Sequence, residues 1–247
     1  MAYLTADDKA FFKKNGYLVK NDQLTPEQIQ NAQDALWTGI NAERGQPESW
    51  IGAGPRSPVN GSHPAIKATL FDTPVAAMME ELVGPQLHIT NGPGPALVYP
   101  SGDNDWSLPG HGHLDGYYTP TNGVAEGTVG CTSINVTIYV EDIEPNGGCF
   151  TLWPGSHLKA DEYFKTHSQL SLQGGVGDKV MDLGEGLQIP GPASTVCFWH
   201  GRLFHSGSKN CQKNIRMALI GRYTRQDVND IRFETPDDPW AYWEGIN

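Results

Sequence analysis

His113-Leu114-Asp115 sets an imidazole and a carboxylate one residue apart, inside the glycine-rich run Leu-Pro-Gly-His-Gly-His-Leu-Asp-Gly over 108–116. In an extended chain the side chains at i and i+2 leave the same face, so these two can grip one ion. His205, in the stretch Arg202–Asn210, is the third donor expected, arriving from a later strand. Two neutral imidazoles and one carboxylate, with the opposite face left open, is the ligand pattern of non-haem iron(II) centres. Each piece alone is weak. The chain has eight histidines, and a single histidine is more often a structural hydrogen-bonder than a ligand. The combination carries the reading, together with an arginine at 216, eleven residues beyond His205.

Arg216 begins Arg-Met-Ala-Leu-Ile-Gly-Arg-Tyr223, an otherwise apolar strand. A buried guanidinium without a carboxylate partner is costly. Its planar fork suits the far carboxylate of a dicarboxylic cosubstrate. The bland alternative is a salt bridge to an internal Asp or Glu.

Positioning these groups falls to short strands. Thr5-Ala-Asp-Asp and Thr25-Pro-Glu-Gln are helix starts, with a hydroxyl cap before acidic or proline-led first turns. Tyr17–Val19 is a strand between those two helices, and Thr73–Gly84 reads as a further capped helix. Residues 86–90 and 96–99 are expected strands. In Cys131–Val140, Asn135, Thr137 and Tyr139 share one face, while Ile134, Val136, Ile138 and Val140 share the other. One face is therefore packed, and the other can line a pocket. Cys149–Trp153, Ser194–Phe204 and Ile215–Tyr223 complete the strands, with Pro154–His157 as a sharp exit. Residues 158–192 show weak periodicity and six glycines and are expected to form an irregular insertion over the site. The tail brings Trp240, Tyr242 and Trp243 back onto the domain. The expected architecture is one domain over 1–247, mainly β with helical cladding: a helical part over about 1–84 and a double-sheet jelly roll (double-stranded β-helix, cupin-like) over about 85–225.

A net charge of −11 disfavours nucleic-acid or anionic-membrane partners. No apolar run approaches the length that spans a bilayer. The first residues lack the basic and apolar regions of a signal peptide, so a cytoplasmic protein is expected. Cys131, Cys149, Cys197 and Cys211 show no C-x-x-C spacing and are expected to be free thiols.

The opening Phe-Phe-Lys-Lys-Asn-Gly-Tyr-Leu-Val19, then His113-Leu-Asp115, Asp142–Cys149 leading into Trp153-Pro-Gly-Ser-His157, and finally His205 with Arg216 carry a family resemblance over almost the whole chain. The sequence resembles the phytanoyl-CoA hydroxylase family of Fe(II)- and 2-oxoglutarate-dependent dioxygenases. The resemblance implies iron ligation by His113, Asp115 and His205, and binding of the C5 carboxylate of 2-oxoglutarate by Arg216. It also implies oxidation of a C–H bond of a small molecule with O2, releasing succinate and CO2. Two positions depart from the family pattern. Gly207 stands where a hydroxyl residue is frequent, so Ser206 or Ser208 is the expected substitute; a tryptophan is frequent near Thr137, so Thr137 or Asn135 is expected to contact the cosubstrate. In related halogenases the carboxylate position is a small residue. Asp115 therefore favours hydroxylation over halogenation.

The flanks of the motifs offer His111, Tyr117, Tyr118, Trp153 and Trp199 as substrate contacts, whereas His157 and His200 are expected to be structural. The acidic balance points to a neutral or cationic small molecule rather than a CoA thioester. The competing readings are a cupin-like metal enzyme that does not use 2-oxoglutarate, which Arg216 argues against, and a catalytically silent binding jelly roll, which the intact triad argues against.

Overall fold

The computed structural model describes residues 2–118, 123–131, 133–172 and 180–247. Thr132 of the expected strand, and Gly174, Gly175 and Gly177 of the expected insertion, lie outside the described residues.

Four helices come first in the chain and clad one face. Helix α1 (Ala6–Asn15) opens on a reciprocal capping box between Thr5 and Asp8 and stops at Gly16, which is left-handed. Helix α2 (Pro26–Trp37) repeats that box with Thr25 and Gln28. Helices α3 (Pro64–Phe71) and α4 (Val75–Val83) complete the layer.

The larger sheet contains β1 (Tyr17–Lys20), β2 (Leu87–His88), β3 (Gly94–Pro95), β4 (Ile134–Tyr139), β7 (Val196–His200) and β9 (Ala218–Arg225). Its order is β1-β7-β4-β9-β2, with β3 also pairing β9. A smaller sheet is ordered β6-β5-β8, built from β5 (Phe150–Leu152), β6 (Leu187–Ile189) and β8 (His205–Gly207). The pairings are antiparallel.

The alternation along β4 is as expected. Ile134, Val136 and Ile138 join Phe12, Leu36, Met79 and Phe198 in the core beneath the helices. Tyr139 faces inward with Cys197 and Trp199, and meets Phe150, Leu152 and Ile189 of the small sheet. These two layers make the jelly roll, mainly antiparallel β with helices on one side. Trp240 and Trp243 pack back into the helical core, as the tail predicts, and all four cysteines are free thiols.

Two expectations change. The 96–99 segment keeps only a single bridge, Val98 to Arg216, and pairing moves to β3. Within 158–192, the described residues are not an irregular insertion. Ser156–Thr166 is a helix, α5, and Leu187–Ile189 is an edge strand of the small sheet. Ala160, Phe164, Leu172 and Leu183 are buried in a third core with Leu114, Trp153 and Phe204. The helix was hidden because His157 and Asp161 occupy buried positions alongside Ala160 and Phe164, which dilutes the apolar stripe that sequence periodicity detects. Among the described residues no helix is long and apolar enough to cross a membrane.

Candidate metal centre

The two histidines meet as cross-strand neighbours. His113 N–H donates to His205 O at 2.9 Å, and His205 N–H returns to His113 O at 3.1 Å. Such a pair sets two side chains side by side on one face, here with ring centroids 4.3 Å apart. Asp115, two residues along, brings Oδ1 to 3.6 Å from Nε2 of both rings. Leu114 points the other way, into the third core. One ligand atom from each of the three residues falls within 4.8 Å of the others, the one such cluster of three or more His, Cys, Asp or Glu side chains among the described residues.

The supports of His205 come from the Trp-Pro-Gly-Ser-His motif. Ser156 Oγ accepts from Phe204 N–H at 3.0 Å, and Trp153 N–H donates to Phe204 O at 3.0 Å. These bonds pin the backbone immediately before His205. On the ring itself, Nδ1 lies 3.0 Å from Leu203 O. An Nδ1–H donated there leaves Nε2 as the free electron pair facing Asp115. Trp199 lies against the same ring at 4.1 Å between centroids, and its Nε1–H donates to Thr137 Oγ1 at 3.2 Å.

Burial pushes the His205 imidazole below its usual range, against the pull of the Asp115 charge. Burial works to raise the Asp115 carboxyl, but His205, His113 and Arg222 outweigh it and hold that carboxyl well below the carboxylate range. A neutral imidazole and an ionised carboxylate are the forms a metal needs. Arg222, which the sequence reading passed over, donates from Nε to Asp115 Oδ2. Its signal was parity: within β9, 218, 220 and 222 fall on one face.

Arg216 is 2% exposed. Its Nε donates to Gly148 O at 2.9 Å and its Nη1 to Ala96 O. Gly148 lies in the Asn-Gly turn, so that turn fixes the guanidinium. Among the described residues no carboxylate pairs with Arg216, which removes the internal salt bridge as its explanation. Asn135 is fully buried, and neither its Oδ1 nor its Nδ2 has a partner. It sits in register between Trp199 and Arg222. A side chain added at Gly207, on the His205 face of β8, would meet nothing within 4 Å. Unmet polar atoms and open space on the face carrying the triad suit a small polar group.

Other expected contacts are placed elsewhere. Ser206 follows His205 and so faces away from it; its hydroxyl turns to Gly207 O, and Ser208 is tied to Thr151 Oγ1 and Cys149 O. Thr137 is occupied by Trp199. Trp153 is 3% exposed and gripped between glycines: a Cβ at Gly112 would come within 2.6 Å of its ring and one at Gly186 within 3.1 Å. Tyr117 is buried and stacked on Phe164 at 5.7 Å. Trp153 is a core residue, whereas Tyr117 also lines the cavity beside Asp115. His111 is exposed and Tyr118 half-buried. Beside Asp115 a cavity of about 90 Å³ is walled by Ser133, Arg202, Arg225 and the tail residue Trp243.

The sequence model of the family described as "Phytanoyl-CoA dioxygenase (PhyH)" matches residues 12–218. The chain belongs to the phytanoyl-CoA dioxygenase family. It is thereby an Fe(II)- and 2-oxoglutarate-dependent oxygenase, with Fe(II), 2-oxoglutarate and O2 as the family's cofactors. Solved structures share the fold. The carbocyclase SnoK from nogalamycin biosynthesis is 19% identical, with 96% of this chain and 93% of that one covered and a TM-score of 0.58. The epimerase SnoN, solved with Fe3+, α-ketoglutarate and nogalamycin RO, is 19% identical over 89% and 82% of the two chains, with a TM-score of 0.62. HygX from Streptomyces hygroscopicus, with nickel, 2-oxoglutarate and hygromycin B bound, is 17% identical over 90% and 88%, with a TM-score of 0.57. None of the curated proteins matches the chain.

Proposed function

We propose that this enzyme hydroxylates a C–H bond of a small molecule, with iron held by His113, Asp115 and His205 and the C5 carboxylate of 2-oxoglutarate held by Arg216. The observation that carries the reading is the conjunction of the donor cluster with a buried guanidinium lacking an acidic partner among the described residues. When bound, the iron with 2-oxoglutarate and O2 supplies the oxidising power, and succinate and CO2 leave. The chain's part is positional. His113 and His205 present ring nitrogens, Asp115 adds one negative charge, and Asn135 offers a buried donor and acceptor beside them. Phe150 and Trp199 pack on the His205 ring and keep water from that side.

The intact carboxylate at Asp115 favours hydroxylation over halogenation. A second outcome from the same C–H step is favoured by particular relatives: SnoK is a carbocyclase and SnoN an epimerase. SnoN and HygX were solved with nogalamycin RO and hygromycin B, which supports a small-molecule substrate of that general kind. Candidate compounds are incubated under labelled dioxygen, and succinate and product mass are read together. Hydroxylation predicts one labelled oxygen in the product for each succinate. Succinate with an isomerised or cyclised product lacking that oxygen would replace the hydroxylase by the second outcome.

A further inference from the structure

The two oxygens of Asp115 are held by different partners. Oδ1 lies 3.6 Å from Nε2 of both His113 and His205, while Oδ2 accepts from Nε of Arg222. Arg222 reaches it from β9, where Asn135 of β4 is its partner in register. The arginine side chain is 48% exposed and the aspartate 11%, so the guanidinium comes in from the mouth of the site rather than from the core. Among the described residues the Arg222 side chain makes no other hydrogen bond or ion pair. A half-exposed ion pair contributes at most about 1 kcal/mol to stability. Stability is therefore a poor account of an arginine spent on this one oxygen.

We propose that Arg222 is a positioning residue that makes Asp115 a one-oxygen ligand. The proposal rests on the assignment of His113, Asp115 and His205 as the iron ligands. A metal taken up by the two Nε2 atoms meets Oδ1, and Oδ2 is already engaged by the guanidinium. A carboxylate free to rotate would close both oxygens on the metal and take up part of the open face of the triad. That face must accommodate a chelating cosubstrate and its co-reactant. Arg222 thus keeps coordination space rather than adding a ligand, and it does so from β9, which begins two residues after Arg216. Hydrogen-bond partners of metal ligands typically change metal affinity or activity by 10–100-fold when removed.

The test compares wild type with Arg222→Met, Arg222→Gln and Arg222→Lys. Under anaerobic conditions Fe(II) is added and then 2-oxoglutarate, and the visible charge-transfer band is followed, with thermal unfolding of the metal-free proteins alongside. The Met variant is expected to need about tenfold more 2-oxoglutarate, with a displaced band and an unfolding temperature close to wild type. Arg222→Lys, which keeps a charged donor, should recover part of the loss. If Met disrupts folding, the Gln variant reads the same quantities. A wild-type band that the Met and Gln variants leave unmoved in position and affinity would overturn the proposal for Arg222 alone. A wild-type protein that takes up no Fe(II) would overturn the ligand assignment beneath it, and iron uptake without a band would overturn the 2-oxoglutarate reading.

Discussion

His113 and His205 stand 4.3 Å apart between ring centroids, and His157 and His200 stand 5.3 Å apart. The first pair flanks Asp115, with the His113 side chain 44% exposed. The second pair packs against indole rings on the wall of the cavity beside Asp115: His200 stacks on Trp243 at 4.7 Å, and His157 meets Trp240 edge-on at 5.5 Å. Its polar partners are backbone groups. His157 Nε2 lies 3.1 Å from Lys13 O, and His200 Nδ1 accepts from Arg202 N–H at 2.9 Å. Two histidines in contact are therefore no signal by themselves. The carboxylate beside the first pair, its Oδ1 3.6 Å from both Nε2 atoms, separates a site from a structural pair.

The comparison breaks most plainly at Asp115. Asp115→Ala is expected to weaken iron binding by about two orders of magnitude and to abolish turnover, because two imidazoles remain without the charge that completes the facial set. Anaerobic iron titration measures it, and an undiminished affinity would put Asp115 outside the site. Arg216→Met comes next. Iron should still bind, while the 2-oxoglutarate requirement rises about 100-fold, equivalent to the ~3 kcal/mol of a strong charged hydrogen bond. An unchanged requirement would move the anchor elsewhere.

The smallest effect sharpens the other side of the comparison. Burial lowers the His157 imidazole to about 4, with only the Lys13 carbonyl resisting. Its ordinary value is 6.5, so the unfolded chain takes up this proton first. The contribution of neutral His157 is fully present above about pH 6.5 and is lost as pH falls towards 4, by roughly 3 kcal/mol. His157→Gln should flatten that part of the stability profile and leave iron affinity unchanged. A change in iron affinity would mean that the two histidine pairs are coupled.

Much of this site was legible because its rules are local. The i, i+2 relation of His113 and Asp115 needs only an extended chain, and the cost of a buried arginine drew attention to Arg216. The alternation of β4 likewise set Asn135 on the inner face. What escaped depended on turns and on distant contacts. Tyr117 has the parity of His113 and Asp115, yet Gly116 intervenes with φ 87° and Gly130 O 2.1 Å from where a Cβ would stand. That turn rotates Tyr117 into the core. Trp153 follows a strand end, and nothing local says that Gly112 and Gly186 close on its ring. Arg222 was passed over because an arginine at a half-exposed strand position is ordinary until Asp115 is folded against it.

The central claim is that this pocket holds iron and 2-oxoglutarate together through His113, Asp115, His205 and Arg216. The most direct measurement adds Fe(II) and then 2-oxoglutarate to the metal-free protein without oxygen and records the visible spectrum. A weak metal-to-ligand charge-transfer band that saturates with 2-oxoglutarate, and is lost in Asp115→Ala, is the predicted result. Stoichiometric iron binding with no band at any 2-oxoglutarate concentration would contradict it.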